Sequence, residues 1–199
     1  MQIKLITGVS FLLSLLLAAA TPVIFGICNL DETATAYVLE RYLILSGALL
    51  FTPLFFPEQN PNIRELTESK RMGSLPILLN RVLQSVLLLI VLLSTFLGIM
   101  SMSGCTFGFG KMLFGTLSSA LFLGALGFLT CAVIGNLVAG YLVPAGYFIL
   151  NFFAGDKLGS FYLFSMSAGS SQNKLWLLLG AVFLFALSFG WRHLVQKLR

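Results

Sequence analysis

Charge is what this chain has least of. Of its 199 residues, 12 are Lys or Arg and 7 are Asp or Glu, 10% in all. A soluble domain carries roughly 25%. So few charges cannot solvate a globular surface, and lipid must cover most of the outside. Histidine occurs once, as His193. Cysteine occurs three times, at Cys28, Cys105 and Cys131, with spacing too wide for a zinc knuckle or a CxxC redox pair. Cys28 and Cys105 fall at the outer ends of apolar runs, where an oxidising exterior would permit a disulfide. Packing as small hydrophobes is the simpler reading for all three. The net charge is +5, but no basic stripe interleaved with aromatics is present, which excludes nucleic acid as a partner.

What is abundant is apolar sequence, 58% of the chain. A spanning helix needs about 20 mostly apolar residues. Six segments qualify, at about 5–27, 37–56, 82–103, 112–131, 136–153 and 175–191. They follow one another through short connectors, which implies one transmembrane domain over 1–199. The expected fold is all-α, a polytopic helical bundle in a cell membrane. Lys4, an apolar run and Ala18-Ala19-Ala20 together have the form of a signal peptide. The run continues through Val23, Ile24 and Phe25, so it reads as a true span. The fourth and fifth spans are nearly continuous, and 153–173 could dip back into the outer leaflet.

Basic residues gather on the cytoplasmic side of membrane proteins. With the N-terminus inside, the inner side holds Lys4, Arg64, Lys70, Arg71, Arg81, Arg192, Lys197 and Arg199. The outer side holds only Arg41, Lys111, Lys157 and Lys174. The acids sharpen the contrast: Asp31, Glu32, Glu40 and Asp156 lie outside and cancel the charge there. Both termini are therefore expected to be cytoplasmic. Trp176 and Trp191 bracket the last span as interfacial anchors.

Chemistry is sparse. Gly104-Cys105-Thr106-Phe107-Gly108-Phe109-Gly110-Lys111-Met112 is the nearest approach to a phosphate loop. Its first glycine is out of register, and Met112 stands where Ser or Thr should hold magnesium. A serine intramembrane protease would need His193 to meet Ser165, Ser167, Ser170 or Ser171. Those ends are roughly 30 Å apart across the hydrocarbon. Paired acids within the spans are lacking too. The chain is thus expected to be no enzyme, to hold no metal and to bind no cofactor of its own. An ion-coupled carrier would place charges at mid-membrane, and here Glu40 and Arg41 come closest. They could line an outer vestibule, or anchor at the interface by snorkelling.

Only the connector 57–81 carries substantial charge. Pro57 and Pro61 discourage helix before it, and Gly73 and Pro76 discourage helix after it. Between them, Asn62 to Met72 could form a short helix capped by Asn62. Glu65, Glu68 and Arg71 would lie on one side, with Ile63, Leu66 and Met72 on an apolar side. Such a helix could rest on lipid headgroups or dock in a groove of a soluble partner.

The stretch Glu68-Ser69-Lys70-Arg71-Met72-Gly73-Ser74-Leu75-Pro76-Ile77-Leu78-Leu79-Asn80-Arg81-Val82-Leu83 resembles the permease subunits of type-2 ABC exporters. Leu121-Phe122-Leu123-Gly124-Ala125-Leu126-Gly127-Phe128-Leu129, followed by Asn136, resembles that family's fourth and fifth helices. The resemblance covers most of the chain through loose, mostly compositional motifs. It implies a coupling helix in the connector, seated in a cleft of a separate ABC ATPase subunit. The docking residues it implies are Ile63, Arg64, Glu65, Leu66, Glu68, Lys70, Arg71 and Met72. It further implies a second permease subunit, identical or related, with ATP and magnesium held by the partner ATPase. One departure is that only Met1-Gln2-Ile3-Lys4 precede the first apolar run, where the family often has an amphipathic helix. The implied activity is export of a hydrophobic or amphipathic substrate: a peptide, a lipid-like molecule or a drug. Other readings are a non-transporting scaffold, immunity or sensor subunit, and the substrate-binding membrane subunit of an ABC importer.

Overall fold

The structure is a computed structural model and describes residues 2–55, 74–170 and 173–197. Among these residues every regular element is helical, and six helices are long and apolar enough to cross a membrane. The first is α1, Gln2–Phe25. The second span is compound: α2 (Glu32–Val38), a π-helical turn (Leu39–Leu43), α3 (Leu45–Phe51) and a 3-10 turn (Thr52–Phe55). Then come α4 (Ser74–Met102), α5 (Phe109–Ile134), α6 (Leu137–Ala154) and α7 (Asn173–Lys197). The expected docking stretch of the connector, Ile63 to Met72, lies outside the described residues.

Two boundaries differ from expectation for local reasons. Helix α4 begins at Ser74, so Ser74 to Arg81 extends the third helix instead of ending the loop. Pro76 is tolerated there because it sits in the first turn, whose N–H groups have no partner within the helix. The fourth and fifth spans, blurred in sequence, are separated by two residues. Gly135 adopts φ 70° and its N–H bonds to Cys131 O at 3.0 Å, a left-handed stop that glycine accepts without penalty. Asn136 is extended, and its Oδ1 accepts the Val138 N–H at 2.9 Å, capping α6.

The bundle is built around two of its six spans. The apolar window of the second span is 78% buried and that of α5 56%, against 17% to 33% for the other four. The central pair approach through small residues. A Cβ on Gly47 would lie 2.0 Å from Ala120 O, and one on Gly124 would lie 2.5 Å from the Phe51 ring. Closer to the α5–α6 connection, Gly127 meets Thr52, and Gly140 meets Cys131 in the same way. Phe51, Phe55, Phe128 and Phe185 stack around these contacts at centroid distances of 4.6 to 5.4 Å. The peripheral helices turn Leu16, Val23, Leu83, Val91, Leu142, Leu179 and Phe183 outward. An apolar surface that continuous suits contact with lipid or with another protein.

One end of the bundle is tied together by backbone. Asn29 N–H donates to Ser103 O at 3.2 Å, Thr106 N–H to Leu30 O at 3.1 Å, and Cys105 Sγ to Ile27 O at 3.1 Å. Lys111 pairs with Glu32 at 2.8 Å beside them. This is the distal end of the bundle. The three cysteines are free thiols: Cys105 and Cys131 are buried and Cys28 is exposed.

Candidate functional site: a buried ion pair beneath an inward-folded segment

After α6 the chain does not return directly to the membrane. It makes a 3-10 turn over Gly155–Phe161 and then folds inward, burying Leu163, Phe164, Ser165 and Met166. Room for this comes from α5. A Cβ on Gly115 would collide with Met166 Sδ, and Ser119 Oγ donates to Leu163 O at 3.4 Å. Those two positions lie 6 and 10 residues into α5, roughly 9 and 15 Å along its axis. The segment therefore reaches well inside the bundle.

Irregular backbone so placed must find hydrogen-bond partners inside the protein. Three side chains from three helices supply them. Asn151 of α6, fully buried, accepts the Leu163 N–H at 2.9 Å through Oδ1 and donates through Nδ2 to Tyr147 O at 2.8 Å. Glu40 accepts the Met166 N–H on Oε1 and the Ser167 N–H on Oε2, each at 2.9 Å. Lys174, at the start of α7, reaches Glu40 Oε1 at 2.5 Å. Lys174 Nζ also donates to Ser119 Oγ at 2.7 Å and to Leu163 O at 2.6 Å. An ammonium has three protons, and here each has an acceptor. Both charged residues are sealed from solvent, at 0% and 1% exposure. The pair is net neutral and saturated with hydrogen bonds, the condition under which two ions can be held in low dielectric.

The π turn explains how Glu40 gets there. Ile44 N–H bonds to Leu39 O at 3.3 Å, one residue further along than in an α-helix. The extra residue widens one turn of the second span, a feature often found where function is placed. Glu40 faces the bundle interior. Its neighbour Arg41 faces aromatic rings, with its guanidinium carbon 4.0 Å from the Tyr37 centroid, 4.7 Å from Phe152 and 5.6 Å from Phe164.

Of the residues singled out in the sequence, Glu40 and Arg41 are described, and they do different things. They are not paired with each other. Glu40 clamps the 162–169 segment, and Arg41 lies in an aromatic cage. Sequence reasoning missed Lys174, Ser119 and Asn151. A weak signal existed for Lys174: it stands immediately before the last apolar run, and Glu40 is an acid set within another. Ser119 and Asn151 carry no such signal, being ordinary polar residues on apolar helices.

No protein-family model, curated protein or solved structure matches this chain.

Proposed function

We propose that this chain is the membrane-spanning permease subunit of an ATP-binding cassette exporter in a cell membrane. It works with a separate ABC ATPase subunit and with a second permease, identical or related. ATP and magnesium belong to the ATPase. The coupling residues are Ile63, Arg64, Glu65, Leu66, Glu68, Lys70, Arg71 and Met72.

The observation that carries the reading is the position of the second span. It is the most buried of the six. One end runs into the charged connector, and eight residues from the other end Glu40 holds the inward-folded segment. A displacement applied at the connector would be carried along a buried helix to the clamp on the distal side. The span contains a π turn and a 3-10 turn, two places where a helix can change register at low cost. The distal side is the outer side by the distribution of Lys and Arg. An apolar groove of about 270 Å³ between α1 and α4, lined by Phe11, Leu15, Pro22, Leu92 and Phe96, agrees with a hydrophobic or amphipathic substrate.

The test is assembly with an ATPase. The protein should co-purify with a phosphate-loop ATPase, and the substitutions Glu65→Lys and Arg71→Glu together should lower its ATP turnover. Unchanged assembly and turnover would remove the docking role and favour a non-transporting scaffold, immunity or sensor subunit.

A further inference from the structure

We propose that Arg41 is the centre of a binding site for the oxyanion headgroup of an amphiphile, at the distal rim of the bundle. The argument begins with charge. Among the described residues, Glu32 is taken by Lys111, and Glu40 is taken by Lys174 and two backbone N–H groups. Among the described residues Arg41 forms no ion pair, its Nε–H is buried with no hydrogen-bond partner, and its guanidinium lies over three aromatic rings. A guanidinium has five donors. Ring faces hold the cation but leave the in-plane N–H groups available.

Position supplies the second part. Arg41 is nine residues into a span that starts at Glu32. Helical side chains point back toward the N-terminus of their helix, here the distal end. The guanidinium lies over Tyr37, one turn nearer that end. A charge at this level, left without a carboxylate in a lipid-facing protein, invites an anion. Tyr37 and Phe152 are 40% and 44% exposed, so the cage opens outward and not into the core. On α6 the neighbouring Ile149 and Phe153 are 54% and 87% exposed and offer an apolar track for a hydrocarbon tail. The ligand class is therefore a net-anionic amphiphile, a phosphate or carboxylate joined to an alkyl chain with no cation of its own beside it, which a zwitterionic lipid such as phosphatidylcholine does not match. Its source is either a membrane phospholipid or a single-chain amphiphile.

The experiment uses the full chain in detergent, delipidated and titrated with phosphatidylglycerol or phosphatidylcholine, with bound lipid counted by native mass spectrometry. Wild type should prefer phosphatidylglycerol, and Arg41→Gln should lower that affinity roughly tenfold while leaving phosphatidylcholine unchanged, as expected for loss of a charge-assisted hydrogen bond. Arg41→Lys, which keeps the charge and loses the fork, should fall between the two. Dodecyl phosphate is the second probe. Displacement of phosphatidylglycerol by it would show that the site also accepts a single-chain amphiphile. Retention of phosphatidylglycerol alone would identify a phospholipid site. Equal binding of the two lipids to wild type would overturn the proposal without any variant, and so would a well-folded Arg41→Gln that keeps the preference.

Discussion

The most consequential residues in this protein are the few that carry charge inside it. Glu40 and Lys174 stabilise each other only as a pair, because either alone would be an ion stranded in low dielectric. Glu40→Gln should lower stability by about 3–5 kcal/mol, and Lys174→Met by a similar amount. Thermal unfolding in detergent would measure both. The double variant should cost less than the sum, since it removes both ions together, and a double-mutant cycle would report that coupling. Strict additivity would mean that the contact between them contributes nothing. Arg41 lies one position along and obeys the opposite rule. Its charge is compensated by rings and not by a carboxylate, so its neutralisation should alter ligand preference more than stability.

At the scale of the element, the helices are shaped by where backbones must approach and where they must stop. Gly47 sits against the backbone of Ala120, an atom that cannot rotate away. Gly47→Val should therefore force the central pair apart and abolish a cooperative melt. Gly146→Ala, on a part of α6 with nothing within 4 Å, should change stability by less than about 0.5 kcal/mol. Ala120 and Gly124, small residues four apart on α5, form a contact seam against Gly47 and Phe51 of α3. The same pattern at Gly135 and Ala139 means something else. Gly135 is a left-handed helix stop, and Gly190 faces open space. Asn136→Ala should remove the α6 cap and cost about 1 kcal/mol, readable in the same thermal assay.

For the molecule as a whole, the arrangement is two buried central spans inside four peripheral ones, with the distal end closed by loops and by the inward-folded segment. Exposure of the thiols gives a direct check on this arrangement. In the folded protein a maleimide should label Cys28 and spare Cys105 and Cys131, which become reactive only on denaturation. In intact cells an impermeant maleimide should reach Cys28 from outside, as the distribution of Lys and Arg requires. Protection of Cys28 in cells, with labelling after permeabilisation, would reverse the proposed orientation and place the connector on the wrong side for an ATPase.

The amino-acid sequence by itself determined that the chain is helical, with six segments long and apolar enough to cross a membrane. Hydropathy over 20 residues is a local quantity, and in lipid a helix is the way an apolar segment satisfies its own backbone. It also singled out Glu40 and Arg41, because a charge within an apolar run is visible without any knowledge of the fold. Only the tertiary structure decided what these two residues touch. The partners of Glu40 lie 126, 127 and 134 positions away, at Met166, Ser167 and Lys174, and no local pattern encodes contacts across such a distance. The inward path of 162–169 was decided in the same way, by a gap opened at Gly115 and by carboxylate, amide and ammonium groups from three separate helices. Burial forces each of those backbone groups to find a partner, and which side chain answers depends on the packing of the whole bundle.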